Sequence, residues 1–119
     1  MTCVWDGLIK ALKLDTKPTD LCTYIQKNNR PVVDMLWQGN PLSKQQLKET
    51  EDHIRAIDSL NIKKGYYCSS CDPLLLLVGQ LYSVNIEHTY LNSKISYRNR
   101  KAKRTIVVVS DSRHFWAKR

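Results

Sequence analysis

The chain has 119 residues, of which 42% are hydrophobic, and it carries a formal net charge of +8. This length suits one compact domain, residues 1–119, and the apolar content is too high for a wholly disordered protein. Four cysteines are too few for a disulfide scaffold, and the longest apolar run, 73–79, is too short to cross a bilayer. We therefore expect a soluble domain of a reducing compartment, with free thiols, no secretion signal and no membrane contact.

A first helix is predicted over residues 2–12, because large apolar residues recur there at steps of three and four positions. Thr2 is placed to be its N-cap, with the hydroxyl accepting a backbone N–H. Cys3 lies in the first turn, where the partial positive charge of the helix dipole favours a thiolate. Cys3 is thus a candidate nucleophile, although most free cysteines are simply small buried residues.

The second helix is predicted to begin after Thr19 as N-cap and to end at Asn28 and Asn29. Residues 31–37 are ambiguous, because a proline at the first position suits a short helix whereas two consecutive valines suit a strand. We favour a short helix that Gly39 ends.

Two later helices have clear start signals. Ser43 and Gln46 form a capping box that opens a polar helix running to about Ser59. Asp72 as N-cap and Pro73 at the first helical position open a second helix that extends to Tyr82. Its residues are apolar nearly all round, which predicts the central buried helix of the domain.

The apolar period changes from 3.6 to 2 at Val84, which predicts strands over 84–90 and 94–97. A fully apolar strand is expected over 105–109, and a short last strand over 114–117, after a turn at 110–113. Helices first and strands afterwards indicate an α+β fold, with N-terminal helices packed on a small, mostly antiparallel C-terminal sheet.

Two constellations could carry chemistry. The first pairs Cys3 with His114, an imidazole at the start of the last strand that could take the thiol proton. A strand-end histidine without a role is the simpler interpretation of His114. The second is the pair Cys68 and Cys71, which is half of a structural zinc pattern. The other half is missing, so we favour a packed Cys68 and a Cys71 in the turn that begins the central helix, and we expect no metal and no cofactor.

A basic cluster follows the second strand, and charge alone does not identify its partner. As a nucleic-acid contact it would need exposed aromatic rings for stacking, and only Tyr97 is adjacent. As a mobile, solvated hairpin tip it needs nothing further, and this interpretation is favoured. The cluster consists of Arg98, Arg100, Lys101, Lys103 and Arg104.

Three blocks of the sequence resemble the ovarian tumour (OTU) family of papain-like cysteine proteases, especially the short OTU-like proteins of large DNA viruses. The segment 3–12 looks like the family's nucleophile helix. The segment 65–86 is similar to the block that precedes the central sheet. The segment 105–116 resembles the histidine block, in which an aromatic residue follows the histidine.

The resemblance implies an OTU-like core and removal of ubiquitin or a ubiquitin-like protein by a thiol isopeptidase. Cys3 would be the nucleophile and His114 the general base, with Asp111 as a substitute for the family's orienting residue. Backbone N–H groups around Cys3, including those of Thr2 and Val4, would form the oxyanion hole. It also implies a viral protein of the infected cytoplasm or the virion. The alternative is an inactive OTU-like module that binds nucleic acid or an acidic partner through the basic cluster.

Overall fold

The computed structural model describes residues 2–66, 68–111 and 113–118 of the chain. Met1, Tyr67, Ser112 and Arg119 belong to stretches discussed above and lie outside the described residues. The described part contains four α-helices, one 3₁₀ helix and six strands. In chain order these are α1 (Cys3–Leu12), α2 (Pro18–Lys27), β1 (Met35–Trp37), β2 (Asn40–Pro41), α3 (Lys44–Arg55), the 3₁₀ helix (Ser59–Lys64), α4 (Pro73–Tyr82), β3 (Val84–Tyr90), β4 (Ser93–Asn99), β5 (Arg104–Ser110) and β6 (Phe115–Ala117).

The described strands form one sheet in the order β2-β1-β4-β3-β5-β6. Neighbouring strands pair antiparallel, except β3 and β5, which run parallel. Side chains alternate along β3, so that Val84, Ile86 and His88 are buried while the residues between them are only partly covered. The α+β class and the mostly antiparallel sheet are thus confirmed.

Helix α4 is the buried helix that the sequence predicts. Its first six positions after Pro73, Leu74 to Gly79, are all buried. Asp72 is the N-cap, and its carboxylate accepts the N–H groups of Leu74 and Leu75. No helix of the described residues is both long enough and apolar enough to span a membrane.

Thr2 occupies the predicted N-cap position of α1, but its predicted capping bond is wrong, and so is the predicted N-cap of α2. The Thr2 hydroxyl makes no capping bond; it donates instead to the Asp6 carboxylate at 2.6 Å. Helix α2 begins one residue before Thr19, with Lys17 as its N-cap. Pro18 can start that helix because its missing N–H has no partner at the first position in any case.

The predicted short helix over 31–37 is also wrong, because residues 35–37 form β1 and pair with β4. A two-residue turn joins β1 to β2, since Trp37 pairs with Asn40. Both turn residues have positive φ, 51° at Gln38 and 83° at Gly39. Positive φ at both positions matches the twist of a tight hairpin, so the glycine ends a strand rather than a helix.

The polar helix is shorter than predicted. Helix α3 opens with the expected capping box at Ser43 but ends at Arg55, and a separate 3₁₀ helix follows. Ile54 is fully buried. Leu60, a few positions further along, is 97% exposed because the chain has left the helix by then.

The first helix and the last strand pack directly against each other. The Phe115 ring lies over Gly7 in α1, where a methyl group on Gly7 would come within 2.6 Å of the ring. Glycine is therefore required at this position for β6 to lie this close to α1. The packing brings the two ends of the described chain to one edge of the molecule.

Candidate active site

Cys3 and His114 are neighbours in space although 111 positions separate them in sequence. The Cys3 Sγ lies 3.8 Å from the His114 Nδ1, within hydrogen-bonding range for a sulfur atom. Cys3 is partly exposed and His114 is exposed, so both are open to solvent. A thiol beside an imidazole can pass its proton to the ring and become the stronger nucleophile.

Helix α1 places Cys3 by burying the opposite side of the helix. Val4, Trp5 and Leu8 are at most 2% exposed, which fixes the rotation of the helix on the core. Cys3 is the first helical residue. The backbone N–H groups of a first turn have no intrahelical partner, so those of Cys3 and Val4 are available beside the thiol. The Thr2 hydroxyl donates its hydrogen bond to the Asp6 carboxylate.

A tight turn between β5 and β6 places His114. The Asp111 Oδ1 accepts the backbone N–H groups of Arg113 and His114, each at 2.8 Å. The Asp111 N–H in turn donates to the His114 carbonyl at 2.9 Å. These N–H donors hold the pKa of the Asp111 carboxyl below its usual range. Asp111 thus positions His114 through the backbone, whereas the sequence prediction had it orient the ring.

We expect Asp111→Ala to slow alkylation of Cys3 by iodoacetamide, because the turn that holds the His114 backbone loses two acceptor bonds. Both bonds are exposed to solvent, so we expect a measurable but partial loss of rate. Asp111→Asn keeps an oxygen that can accept both bonds and should retain most of the wild-type rate. The rate is measured by mass spectrometry of the Cys3 adduct over time. Equal rates in all three proteins would show that the turn does not depend on Asp111.

A cavity of about 280 Å³ opens beside the Cys3–His114 pair. Its walls come from four parts of the chain: the start of α1, the segment around Tyr66, the end of β3, and the turn between β5 and β6. Lys64 and Arg113 add positive charge, and Tyr90 and Phe115 add apolar surface. The pair therefore faces a concave space in which part of a substrate could be held.

A buried hydrogen-bond network supports the Tyr66 wall of this cavity. The Tyr66 hydroxyl donates to Asp72 Oδ1 at 2.9 Å and lies 3.0 Å from the His53 Nε2. The Asp72 side chain is fully buried and also accepts the Ser69 N–H. Burial raises the pKa of Asp72, and the donors around it act in the opposite direction. The sequence predictions assigned Asp72 only as a helix cap and missed its link to the site.

A second buried polar pair lies behind the turn that carries His114. The His88 Nε2 is 2.6 Å from the Ser110 Oγ, and both side chains are buried. His88 lies in β3 and also packs against the Phe115 ring, with ring centres 5.9 Å apart. The sequence analysis assigned no role to His88. The signal that could have identified it is its place on the buried, apolar side of a strand.

The four cysteines are free thiols, and Cys68 and Cys71 are partly buried. Burial, with a contribution from Asp72, raises the pKa of the Cys68 thiol well above its usual value. Cys68 lines the same cavity as Cys3 but is a much poorer candidate nucleophile, because the thiolate is the reactive form. Across the described residues, no three His, Cys, Asp or Glu side chains are grouped as metal ligands would be.

The basic cluster is not a hairpin tip, since β5 pairs with β3 rather than with β4. Its backbone is held by the core, with the Arg100 N–H donating to the Asp34 carbonyl and the Lys103 N–H to the Ser83 carbonyl, each at 2.9 Å. All five basic residues are exposed. Tyr97 is fully buried, so this ring cannot stack on a base. The nucleic-acid contact stays a prediction.

The cluster and the cavity lie at opposite ends of the parallel strands. Val84 pairs with Arg104 at one end of the β3–β5 ladder, and Tyr90 pairs with Ser110 at the other. Six steps along a strand span about 20 Å. The Cys3–His114 pair is therefore a site separate from the basic cluster.

Comparisons of the chain with protein-family models, with curated proteins and with solved structures gave no match.

Proposed function

We propose that this protein is a cysteine hydrolase of the deubiquitinase type, with Cys3 as nucleophile and His114 as general base. The observation that carries the proposal is the 3.8 Å approach of the Cys3 Sγ to the His114 Nδ1 at the mouth of a cavity. The first turn of a helix and a strand-end turn, far apart in sequence, supply these two groups. A thiol and an imidazole at this distance, both reachable from solvent, suit nucleophilic catalysis.

The reaction begins with transfer of the Cys3 thiol proton to the His114 Nδ1. The thiolate attacks the carbonyl carbon of a peptide or isopeptide bond, and the imidazolium then gives its proton to the departing amine. The carbon–nitrogen bond breaks and a thioester to Cys3 remains. His114 next takes a proton from water, the resulting hydroxide attacks the thioester, and the thiol is regenerated as the carboxylic acid leaves.

The negative oxygen that forms during each attack needs hydrogen-bond donors. The N–H groups of Cys3 and Val4, which have no intrahelical partner at the first turn of α1, are the donors that we assign to this role. The N-terminal end of the helix dipole favours negative charge at the same place.

The substrate class follows from the resemblance to the OTU family and is part of the proposal. An OTU-like core has the order nucleophile helix, buried helix with strand, and histidine block, and this chain has α1, α4 with β3, and β5 followed by His114 in that order. We accordingly propose ubiquitin or a ubiquitin-like protein as the acyl group. In the same way, the resemblance favours a viral protein of the infected cytoplasm or the virion.

A ubiquitin probe with a C-terminal electrophile tests the proposal. The wild-type chain should form a covalent adduct whose mass corresponds to one probe on Cys3, and Cys3→Ala should form none. Cys68→Ala is the matched control, because it removes a second thiol of the same cavity and should leave the adduct unchanged. Absence of a Cys3-dependent adduct with ubiquitin and with ubiquitin-like probes would overturn the assignment.

The alternative is an OTU-like module without turnover that holds nucleic acid or an acidic partner on the basic cluster. Its support is the exposure of all five cations at one end of the sheet. It is the weaker proposal, because the neighbouring Tyr97 is buried and Lys101 already lies 3.9 Å from the Asp34 carboxylate.

A further inference from the structure

The buried His88–Ser110 pair is unusual because only one of the two ring nitrogens of His88 has a hydrogen-bond partner among the described residues. His88 is 1% exposed and Ser110 is 4% exposed. The His88 Nε2 lies 2.6 Å from the Ser110 Oγ, whereas the buried Nδ1 of the same ring has no partner among the described residues. Buried polar atoms in proteins are nearly always paired, so an unpaired ring nitrogen requires an explanation.

The unpaired nitrogen indicates which tautomer His88 adopts. Burial lowers the pKa of His88, so the ring is neutral near pH 7 and carries a single N–H. With the proton on Nδ1, a buried N–H would have no acceptor. With the proton on Nε2, the N–H is paired with Ser110 and only a lone pair on Nδ1 stays unpaired. Unpaired buried N–H groups are rarer than under-used acceptors, which favours the proton on Nε2.

This tautomer leaves the Ser110 hydroxyl with a proton to donate. The Ser110 Oγ accepts from His88, so its own O–H must find a different acceptor, and the described residues provide none. Ser110 lines the cavity that also contains Cys3 and His114. A carbonyl oxygen entering the cavity would supply the missing acceptor.

We propose that Ser110 is a substrate-binding residue of this site. Its hydroxyl, fixed by the His88 imidazole, donates a hydrogen bond to a carbonyl oxygen of the acyl chain that Cys3 attacks. His88 is a positioning residue, since it acts through Ser110 and not on the substrate. This assignment rests on the proposed cysteine hydrolase function, and it adds a polar side chain to the backbone donors of α1.

The variants Ser110→Thr and Ser110→Val test the role of the hydroxyl, because they have the same shape and differ in that group alone. A single hydrogen bond corresponds to roughly a fivefold to tenfold change in rate. We expect Ser110→Val to lower kcat/KM for a ubiquitin C-terminal amide substrate by about that factor relative to Ser110→Thr. The reaction of Cys3 with dithiodipyridine, which has no carbonyl oxygen, should be equally fast in both variants.

Equal kcat/KM values for the threonine and valine variants would overturn the inference. So would a parallel slowing of the dithiodipyridine reaction in Ser110→Val, because that would reflect a general disturbance of the thiol. The ¹⁵N chemical shifts of His88 give a measurement independent of activity: we expect a protonated Nε2, and a protonated Nδ1 would contradict the inference. A wild-type chain without any Cys3 adduct would instead refute the proposed function, and the NMR measurement would still test whether Ser110 is free to donate.

Discussion

His114→Ala is expected to slow acylation of Cys3 by a ubiquitin C-terminal substrate by about 100- to 10,000-fold, the usual contribution of a general base. The imidazole is the group within reach of the Cys3 sulfur, and alanine leaves the thiol without a proton acceptor at 3.8 Å. Stopped-flow measurement of acyl-enzyme formation gives the rate. Because His114 is exposed, the free energy of unfolding should change by no more than about 0.5 kcal/mol.

His53→Ala is the matched control for this prediction. His53 is an exposed imidazole that contacts the Tyr66 hydroxyl, not Cys3, and its loss should leave acylation within a few-fold of wild type. Added free imidazole should restore part of the rate in His114→Ala, since the side chain lines an open cavity. A rate in His114→Ala equal to wild type would mean that Cys3 reacts without this base.

Asp72→Ala is expected to lower the free energy of unfolding by about 3 kcal/mol or more. The fully buried carboxylate accepts four hydrogen bonds, from the Tyr66 hydroxyl and from the N–H groups of Ser69, Leu74 and Leu75. Alanine leaves the buried N–H groups of Leu74 and Leu75 without this acceptor and removes the N-cap of the central helix. Urea unfolding followed by circular dichroism measures the loss.

Asp58→Ala is the control, because Asp58 also caps a helix, with its Oδ1 accepting the Leu60 N–H, but it is exposed. It should cost no more than about 1 kcal/mol. Asp72→Asn should lie between these values, since an amide has one acceptor oxygen where the carboxylate has two. A loss in Asp72→Ala as small as that in Asp58→Ala would show that the buried network contributes little to stability.

The parts of the fold with strong local signals could be predicted from the sequence. Helix α4 has a capping aspartate, a proline at its first position and a continuous apolar surface, and β3 has strict alternation. The pairing of Cys3 with His114 was different. Cys3 was a candidate because it lies at the start of a helix, and His114 was a candidate because its imidazole can accept a proton. The family resemblance suggested that the two residues meet. The distance between them depends on how α1 packs against β6, which no local pattern contains.

Two of the failed predictions, the helix over 31–37 and the hairpin tip, share a physical cause, which is that tertiary pairing overrides local preference. Residues 35–37 form a strand because they pair with the edge of β4. β1 and β3 flank β4 on its two sides, so the strand that follows the basic cluster, β5, pairs with β3 instead of forming a hairpin with β4. The polar pairs behind the site were missed for a similar reason. Ser110 and His88 are 22 positions apart, and Tyr66 meets His53 across 13, so only the folded backbone brings them together.

The close packing of Gly7 under the Phe115 ring has a consequence for the stability of the contact between Cys3 and His114. Phe115 directly follows His114, so any fluctuation that lifts the last three-residue strand from the sheet carries the imidazole away from the sulfur. β6 has three residues and lies at the edge of the described sheet, and such short edge strands open far more often than a whole domain unfolds. Gradual warming should therefore separate His114 from Cys3 before the core unfolds, and cooling should restore their contact once β6 pairs with β5 again.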